Sequence, residues 1–382
     1  MEEKRNIVII GGGVVGCTTA YYLTRHPRFN PACHSITLLE AGPTVAGGAS
    51  GKAGGLLALW AYPASLVPLS YRLHAELAAK HNGAQRWGYR NLQCGSLEAD
   101  GAAKELLAEA ILPRELDWVD RDIITSWAEM GDPGTTETSQ VHPFQFTTSI
   151  GELAQEAGVR IKTNAKVTKI ATSKTRLEKV EYLDRNTGET VELTDMTDVV
   201  VTAGPWTGRL LPRAKVEGLR AHSVVFELPH DFVPEHRAKL GQKRLHRSRV
   251  DPEIYARPFG EAYACGEPDS SVPLPDTVDQ VQCDEAQCDD IISYIKTFSP
   301  VLGSAPIKAK QSCYLPRHMR FGQESGPLIG PTTVPGVWVA AGHTCWGIQN
   351  GPATGKLMSE YIFDGAPLSA NVDKFDPRKF KV

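Results

Sequence analysis

A strand, a glycine turn and a helix open this chain, and that combination restricts its fold more than any other feature. Asn6-Ile7-Val8-Ile9-Ile10 is a short apolar strand, Gly11-Gly12-Gly13-Val14-Val15-Gly16 is the turn, and Cys17 to Arg25 continues as a helix with Ala20, Tyr21 and Leu23 for packing. Gly11 permits the tight turn, Gly13 lets backbone approach a pyrophosphate, and Gly16 lets helix and strand pack closely. The helix start, with Val14 and Val15, then offers free N–H groups to an anion. Ser35-Ile36-Thr37-Leu38-Leu39-Glu40 reads as a second strand ending in an acid placed to accept hydrogen bonds from a ribose diol. The unit is βαβ, and the pattern predicts a dinucleotide site.

Two further segments indicate how far such a ligand extends. Gly47-Gly48-Ala49-Ser50-Gly51-Lys52-Ala53-Gly54-Gly55 is a second glycine-rich loop just after the acid. It suits a ligand lying extended along the domain, with backbone against its diphosphate and ring system. Ser325 to Gly355 holds no Asp, Glu, Lys or Arg across 31 residues and ends in Gly342-His343-Thr344-Cys345-Trp346-Gly347-Ile348-Gln349-Asn350-Gly351-Pro352. Such a loop brings N–H donors and flat side chains to an apolar ligand, and the helix after it points its N-terminus inward. Three glycine segments are more than a nicotinamide site needs, which selects FAD over NAD.

Strands are expected at Val159–Thr163, Ala165–Ala171, Leu177–Leu183, Asp198–Ala203 and Gly336–Gly342, and helices at Ser149–Ala157, Asp284–Phe298 and within Ile348–Phe363. Residues 73–139 carry helical pattern, including Lys104–Val119, while 221–228 and 253–265 alternate like antiparallel strands. Nucleotide-type elements thus recur at the start, middle and end of the chain. The fold expected is α/β, a Rossmann-like domain (1–72, 140–212, 326–382) interleaved with an antiparallel-sheet substrate domain (73–139, 213–325). At 382 residues the chain is long enough for both cores.

Charge and cysteine content exclude several functions. Lys plus Arg is 41 and Asp plus Glu is 44, a net charge of −3, which argues against a nucleic-acid binder. Ala53 to Tyr71 is uncharged for 19 residues but contains Pro63 and Pro68, so it reads as buried chain beside a cofactor and not as a membrane span. Eight scattered cysteines without a signal-peptide pattern read as free thiols in a reducing, cytoplasmic setting. Cys283 and Cys288 have no second Cys/His pair nearby, so no metal site is expected. A basic run (Arg237, Lys239, Lys243, Arg244, Arg247, Arg249) and an acidic one (Asp276 to Asp290) read as solvated faces.

The blocks quoted above, with Val199-Val200-Val201-Thr202-Ala203-Gly204-Pro205-Trp206 and Gly326-Pro327-Leu328-Ile329-Gly330-Pro331, resemble the FAD-dependent amine oxidases of the D-amino acid oxidase, glycine oxidase and sarcosine oxidase superfamily over nearly the whole length. A fungal branch of FAD oxidoreductases with poorly defined substrates resembles the chain most closely. The resemblance implies cofactor contacts from Gly11, Gly13, Val14, Val15, Gly16, Glu40, Ala41, Ser50 to Gly55, Val167, Ala203, Gly204, Trp206, Cys313, Gly342, His343, Trp346, Gly347, Ile348 and Gln349. Lys52, His343 and Gln349 are the candidate catalytic residues, and Trp60, Tyr255, Arg257, Leu315 and Trp346 the candidate substrate wall.

Two expected cations are missing. Leu315 stands where relatives place an arginine for the substrate carboxylate, and Gln349 where sarcosine oxidases place a lysine; Arg257, Lys52, Arg317 and Arg320 are the replacements available. Cys313 falls where the sarcosine oxidase branch bonds a cysteine to the flavin, and two readings stay open for it: a thioether, or plain pocket lining. The resemblance implies oxidation of a C–N bond in an amine or amino acid, with hydride passing to flavin N5 and O2 as acceptor giving H2O2. The alternative is an FAD-binding regulatory or structural protein with little turnover. The oligomeric state is not legible.

Overall fold

The computed structural model describes residues 4–99, 112–114, 116–132, 137–173, 175–228, 236–243 and 249–382, with backbone alone at 236–243 and 249. The strand expected at Asn6–Ile10 spans Arg5–Ile10 and lies at the centre of a six-stranded sheet. It pairs in parallel with Asp198–Val201 on one side (Ile7 opposite Asp198) and with His34–Leu39 on the other (Ile7 opposite Ile36). Val337–Ala341 adds a further parallel strand beside Asp198–Val201, and Arg160–Lys162 one beside His34–Leu39. Leu328–Pro331 closes an edge antiparallel.

Successive side chains point to opposite faces, and both faces of the inner strands are covered, so Ile7–Ile10 and Val199–Val201 are apolar without a break. Ile7, Ile9, Leu38 and Val200 face the helices Val14–Leu23, Pro143–Glu156 and Gly347–Asp364. Val8, Ile10, Val199 and Val201 face the other way, onto a three-stranded antiparallel sheet of Ala165–Thr172, Leu177–Asp184 and Thr190–Leu193. With both faces covered, each fully buried Val, Leu or Ile contributes roughly 1.5–3 kcal/mol.

The helices Val14–Leu23 and Gly347–Asp364 pack closely because they present small residues to each other. A Cβ added at Gly355 would lie 2.5 Å from the Thr18 carbonyl carbon, and one at Gly351 2.7 Å from Val14 Cγ2. Gly347–Asp364 also contains Pro352, which lacks the N–H that would bond Ile348 O. The neighbouring helix Val67–His81 repairs the gap. His74 Nε2 donates to Ile348 O at 2.9 Å, and Ser70 Oγ accepts from Ala353 N at 3.1 Å. Burial holds His74 down at about 4, so it is neutral, with the proton placed on Nε2 by that carbonyl.

The second large sheet is mixed and mostly antiparallel. Val216–Glu227 runs against Ile307–Arg320 (Ala221 opposite Cys313) and against Glu261–Cys265, which pairs with Glu253–Arg257. Helix Glu285–Phe298, with Asp284 accepting from Ala286 N at its start, lays Ile291, Ile295 and Phe298 over Val224, Phe226, Ile254 and Ala264.

The segment 73–139 is helical as expected over its first part, in Val67–His81 and Gly83–Trp87, and differs from the expectation after that. Arg90–Ala99, Ile124–Glu129 and Thr138–Gln140 are strands of the second sheet. Leu92 and Cys94 are buried between exposed Asn91 and Gln93, a period of two hidden among helix-favouring residues. Of the expected helix Lys104–Val119, residues 104–111 lie outside the described residues. Residues 112–114 and 116–119 form turns and bends and no helix, with Pro113 among them and Trp118 as the anchor, its ring meeting Phe298 edge-on. Within the uncharged stretch 53–71, Leu56–Ala58 is a strand and Val67 begins a helix. Among the described residues no helix is long and apolar enough to cross a membrane.

Candidate functional site

The two sheets enclose a cavity of about 780 Å³, within the range of small-molecule and cofactor sites. One end lies over the carboxyl ends of the parallel strands. There Gly11 holds φ +111°, and an added Cβ would fall 2.5 Å from Thr202 O, so only glycine turns the chain here. Gly16 stands behind the wall, its Cα facing Gly11 O so closely that a Cβ would approach to 2.0 Å; it sets the helix against the strand. Gly13 is the N-cap of Val14–Leu23, without a capping side chain, and Ser50 Oγ accepts from Val14 N at 2.9 Å. The second helix start, Gly347, also lacks a capping side chain and lines the cavity with Ile348. Two helix starts thus aim at one space.

Glu40 lies in the cavity wall and joins two loops. Its Oε2 accepts from Gly12 N and its Oε1 from Gly42 N, each at 2.6 Å. Burial raises its pKa, partly countered by those two donors. Each oxygen retains a second lone pair for a ribose hydroxyl. Nearby, Lys166 and Arg209 line the same end, both paired with Asp276, Arg209 at 3.6 Å. Trp206 is fixed there by a 2.8 Å bond from Nε1 to Pro275 O.

The other end is floored by the second sheet. Cys313 and Leu315 both reach the cavity, while Tyr314 between them turns away to donate to Val272 O and Pro273 O. Burial pushes the Cys313 thiol up to about 11, with Lys52 pulling the other way. Tyr255 lies against Gly54, where a Cβ would fall 2.5 Å from its ring, and its hydroxyl donates to Glu253. His343 also faces the cavity; its Nε2 meets Thr354 Oγ1 at 2.9 Å, and burial lowers it to about 4, leaving a neutral ring.

Of the expected residues, Ala41, Ala53, Val167, Ala203, Gly204 and Gly342 also line the cavity. Others stand off the wall, each for a visible reason. Lys52 donates to Ser312 O at 3.0 Å, behind Cys313. Gln349 turns inward so that its Oε1 accepts from Ala58 N at 2.8 Å. The Arg257 guanidinium is buried, donating to Glu261 at 3.2 Å and to Ala53 O and lying over the Tyr263 ring. Arg317 pairs with Glu217, and Arg320 donates to His318 and Arg213 O. Trp60 and Trp346 pack edge-to-face with each other, 6.0 Å between centroids. Gly51 and Gly55 form the back of the loop, where added Cβ atoms would meet Ala46 O and Val141 O. The sequence reading missed Glu253, Cys265, Glu267 and Cys345, which also line the cavity. Period-two alternation over 253–265 was the signal for the first two.

Among the described residues no group of three or more His, Cys, Asp or Glu is placed to hold a metal ion. The donors and shape instead fit FAD: two helix starts facing the cavity, one with Ser50 on its first N–H, an acid with spare lone pairs, and a floor of Cys313, Leu315 and Tyr255. Comparison with known proteins agrees. The model of the DAO family, "FAD dependent oxidoreductase", matches residues 6–361. Two yeast proteins named "Putative oxidoreductase" are similar along their full length. TDA3 of Saccharomyces cerevisiae is 32% identical, covering 99% of this chain and 95% of its own. C1F5.03c of Schizosaccharomyces pombe is 35% identical, covering 99% of each. Iminodiacetate oxidase from Chelativorans sp. BNC1 superposes with a TM-score of 0.73 at 15% identity, covering 97% of this chain and 99% of its own. L-proline dehydrogenase from P. horikoshii gives 0.74 at 18%, covering 100% and 99%. At such identities the likeness shows the fold.

Proposed function

From the premise that this chain belongs to the DAO family of FAD-dependent oxidoreductases, we propose that it oxidises the C–N bond of a small amine, with O2 as acceptor. The observation that carries the reading is the single cavity running from Glu40 and the two helix starts to Cys313, Leu315 and Tyr255. It offers a dinucleotide end and an apolar end in one space. Bound FAD supplies the two-electron acceptor for the C–H bond beside the nitrogen. Gly13, Glu40, Ser50, Gly347 and Ile348 would hold the cofactor, and Leu315, Tyr255 and His343 would orient the amine and exclude water. The neutral His343 adds no positive charge to the cavity.

Neighbours in fold are named for oxidising glycine, iminodiacetate and L-proline, all carboxylates. Here Leu315 occupies one position of the expected clamp, Gln349 bonds Ala58, and Arg257 is spent on Glu261 and Ala53 O. The substrate preference is therefore for amines over α-amino acids. Cys313, held as a thiol by burial, is read as wall and not as a bond to the cofactor.

Purified, FAD-loaded protein mixed anaerobically with a panel of amines and amino acids tests this. Bleaching of the flavin band by an amine, faster than by its carboxylated analogue, is expected, with peroxide formed on admitting air. A band that no amine bleaches leaves an FAD-binding protein of little turnover. Acid precipitation should release the flavin to the supernatant; a yellow pellet would establish the thioether.

A further inference from the structure

Cys283 and Cys288 lie outside the cavity, and the site chemistry makes no use of them. Their sulfurs are 3.4 Å apart, within van der Waals contact, and both are free thiols. Cys283 is half-buried and precedes Asp284, the N-cap of Glu285–Phe298; Cys288 is buried one turn into that helix. The spacing brings the side chain before the cap back over the first turn, so the two sulfurs face each other and need only close from 3.4 Å to the roughly 2.05 Å of an S–S bond. We propose that Cys283 and Cys288 are an oxidisable thiol pair, a modification site that closes to a disulfide under a hydroperoxide and reopens under a dithiol reductant.

The chemistry balances with a hydroperoxide as the named oxidant. The Cys283 thiol, the more accessible of the two, loses its proton and attacks one peroxide oxygen. The O–O bond breaks, leaving a sulfenic acid on Cys283 and releasing water or an alcohol. The Cys288 sulfur attacks that sulfenic sulfur, the S–S bond forms, and the oxygen leaves as water with the Cys288 proton. Two thiols are oxidised by two electrons and one peroxide is reduced. Any hydroperoxide suffices, so the inference stands whatever acceptor the enzyme uses.

The position of the pair gives the bond a consequence. Gln282, beside Cys283, accepts through its carbonyl from Ser312 Oγ at 2.9 Å. Ser312 O in turn accepts from Lys52 Nζ, and Ser312 precedes the cavity residue Cys313. On the other side, Cys288 Sγ donates to Ser223 O at 3.8 Å. The Ser223 hydroxyl accepts from Gln311 Nε2, which also donates to Lys52 O. Oxidation removes the Cys288 donor and ties the Gln282 segment to the helix. Both changes bear on the strand Ile307–Arg320 where it floors the cavity.

The FAD-loaded protein, titrated with hydrogen peroxide, alkylated and digested, decides the matter. The peptide carrying both residues should lose two hydrogens and escape alkylation at 283 and 288, two of the eight thiols disappearing together and returning with dithiothreitol. Cys283→Ser and Cys288→Ser should each abolish that loss, and Cys345→Ser should leave it. Amides 282–288 and 311–314 should change their hydrogen-exchange rate only on oxidation of the parent protein. The proposal fails if 283 and 288 remain alkylatable while the exposed Cys345 oxidises, or if Cys283 proceeds to sulfinic acid without the bond. An unchanged exchange rate at 311–314 overturns the coupling to the strand.

Discussion

Replacing Glu40 by Ala removes the acceptor from two backbone donors, Gly12 N and Gly42 N, both held at 2.6 Å. Stranding buried donors costs about 1–3 kcal/mol. The same change removes the spare lone pairs that would accept from a ribose hydroxyl, so FAD affinity, followed by flavin fluorescence, should also weaken by about 1–3 kcal/mol, and Glu40→Gln, which keeps one acceptor, by less. An unchanged Kd for the Ala variant would show that Glu40 only closes the loops and does not serve the ligand. At this scale the glycine motif was legible because each constraint is local: Gly11 meets Thr202 O, and Gly16 meets Gly11 O, within the βαβ unit and its neighbour. The directions of Lys52, Gln349 and Arg257 were not legible. Each is set by a distant partner, Ser312 O, Ala58 N and Glu261 with Ala53 O, and nothing in the local sequence names those partners.

Among the elements, the helix Gly347–Asp364 depends on its neighbour Val67–His81. His74→Leu keeps the apolar volume and removes the donor to Ile348 O, leaving a buried carbonyl unsatisfied beside the cavity. A loss of about 1–3 kcal/mol is expected in chemical denaturation; a full-strength variant would mean that the Pro352 gap is repaired some other way. The remedy for Pro352, a histidine 278 positions earlier in the chain, left no local trace in the sequence. The strands of the parallel sheet were legible because both of their faces are apolar. Arg90–Ala99 was not, because a mixed, half-exposed strand carries a weaker period. Cys313 and Leu315 share the cavity side because side chains two apart on a strand point to one face.

For the whole molecule, stability should respond to acid in two stages. His74 and His343 are each lowered by burial to about 4, below the ordinary value of 6.5. The unfolded chain therefore takes up those protons first, and stability falls as pH drops from about 6.5 to about 4. Glu261 is buried, which raises it, but His142, Lys308 and Arg257 outweigh that and bring it to about 2. Its contribution is present above the unfolded value of 4.5 and is lost as pH falls from there to about 2. Thermal melts across both windows check this: His343→Gln should flatten the first stage and Glu261→Gln the second. Added FAD should raise the melting temperature, by about 4 kcal/mol of stabilisation at a free concentration 1,000 times Kd. A melting temperature indifferent to FAD would contradict the fit of the cavity.

The interleaved strand order also bears on how the protein is made. Arg5–Ile10 leaves the ribosome first, its neighbour Asp198–Val201 much later, and Val337–Ala341 and the helix that seals Val14–Leu23 near the end. At roughly 5–20 residues per second, the first strand waits on the order of 20–60 s with apolar faces uncovered. Throughout that interval those faces are open to holding chaperones. Cofactor capture belongs to the moments after release, so flavin supply would regulate the yield of folded protein and leave its rate of translation untouched.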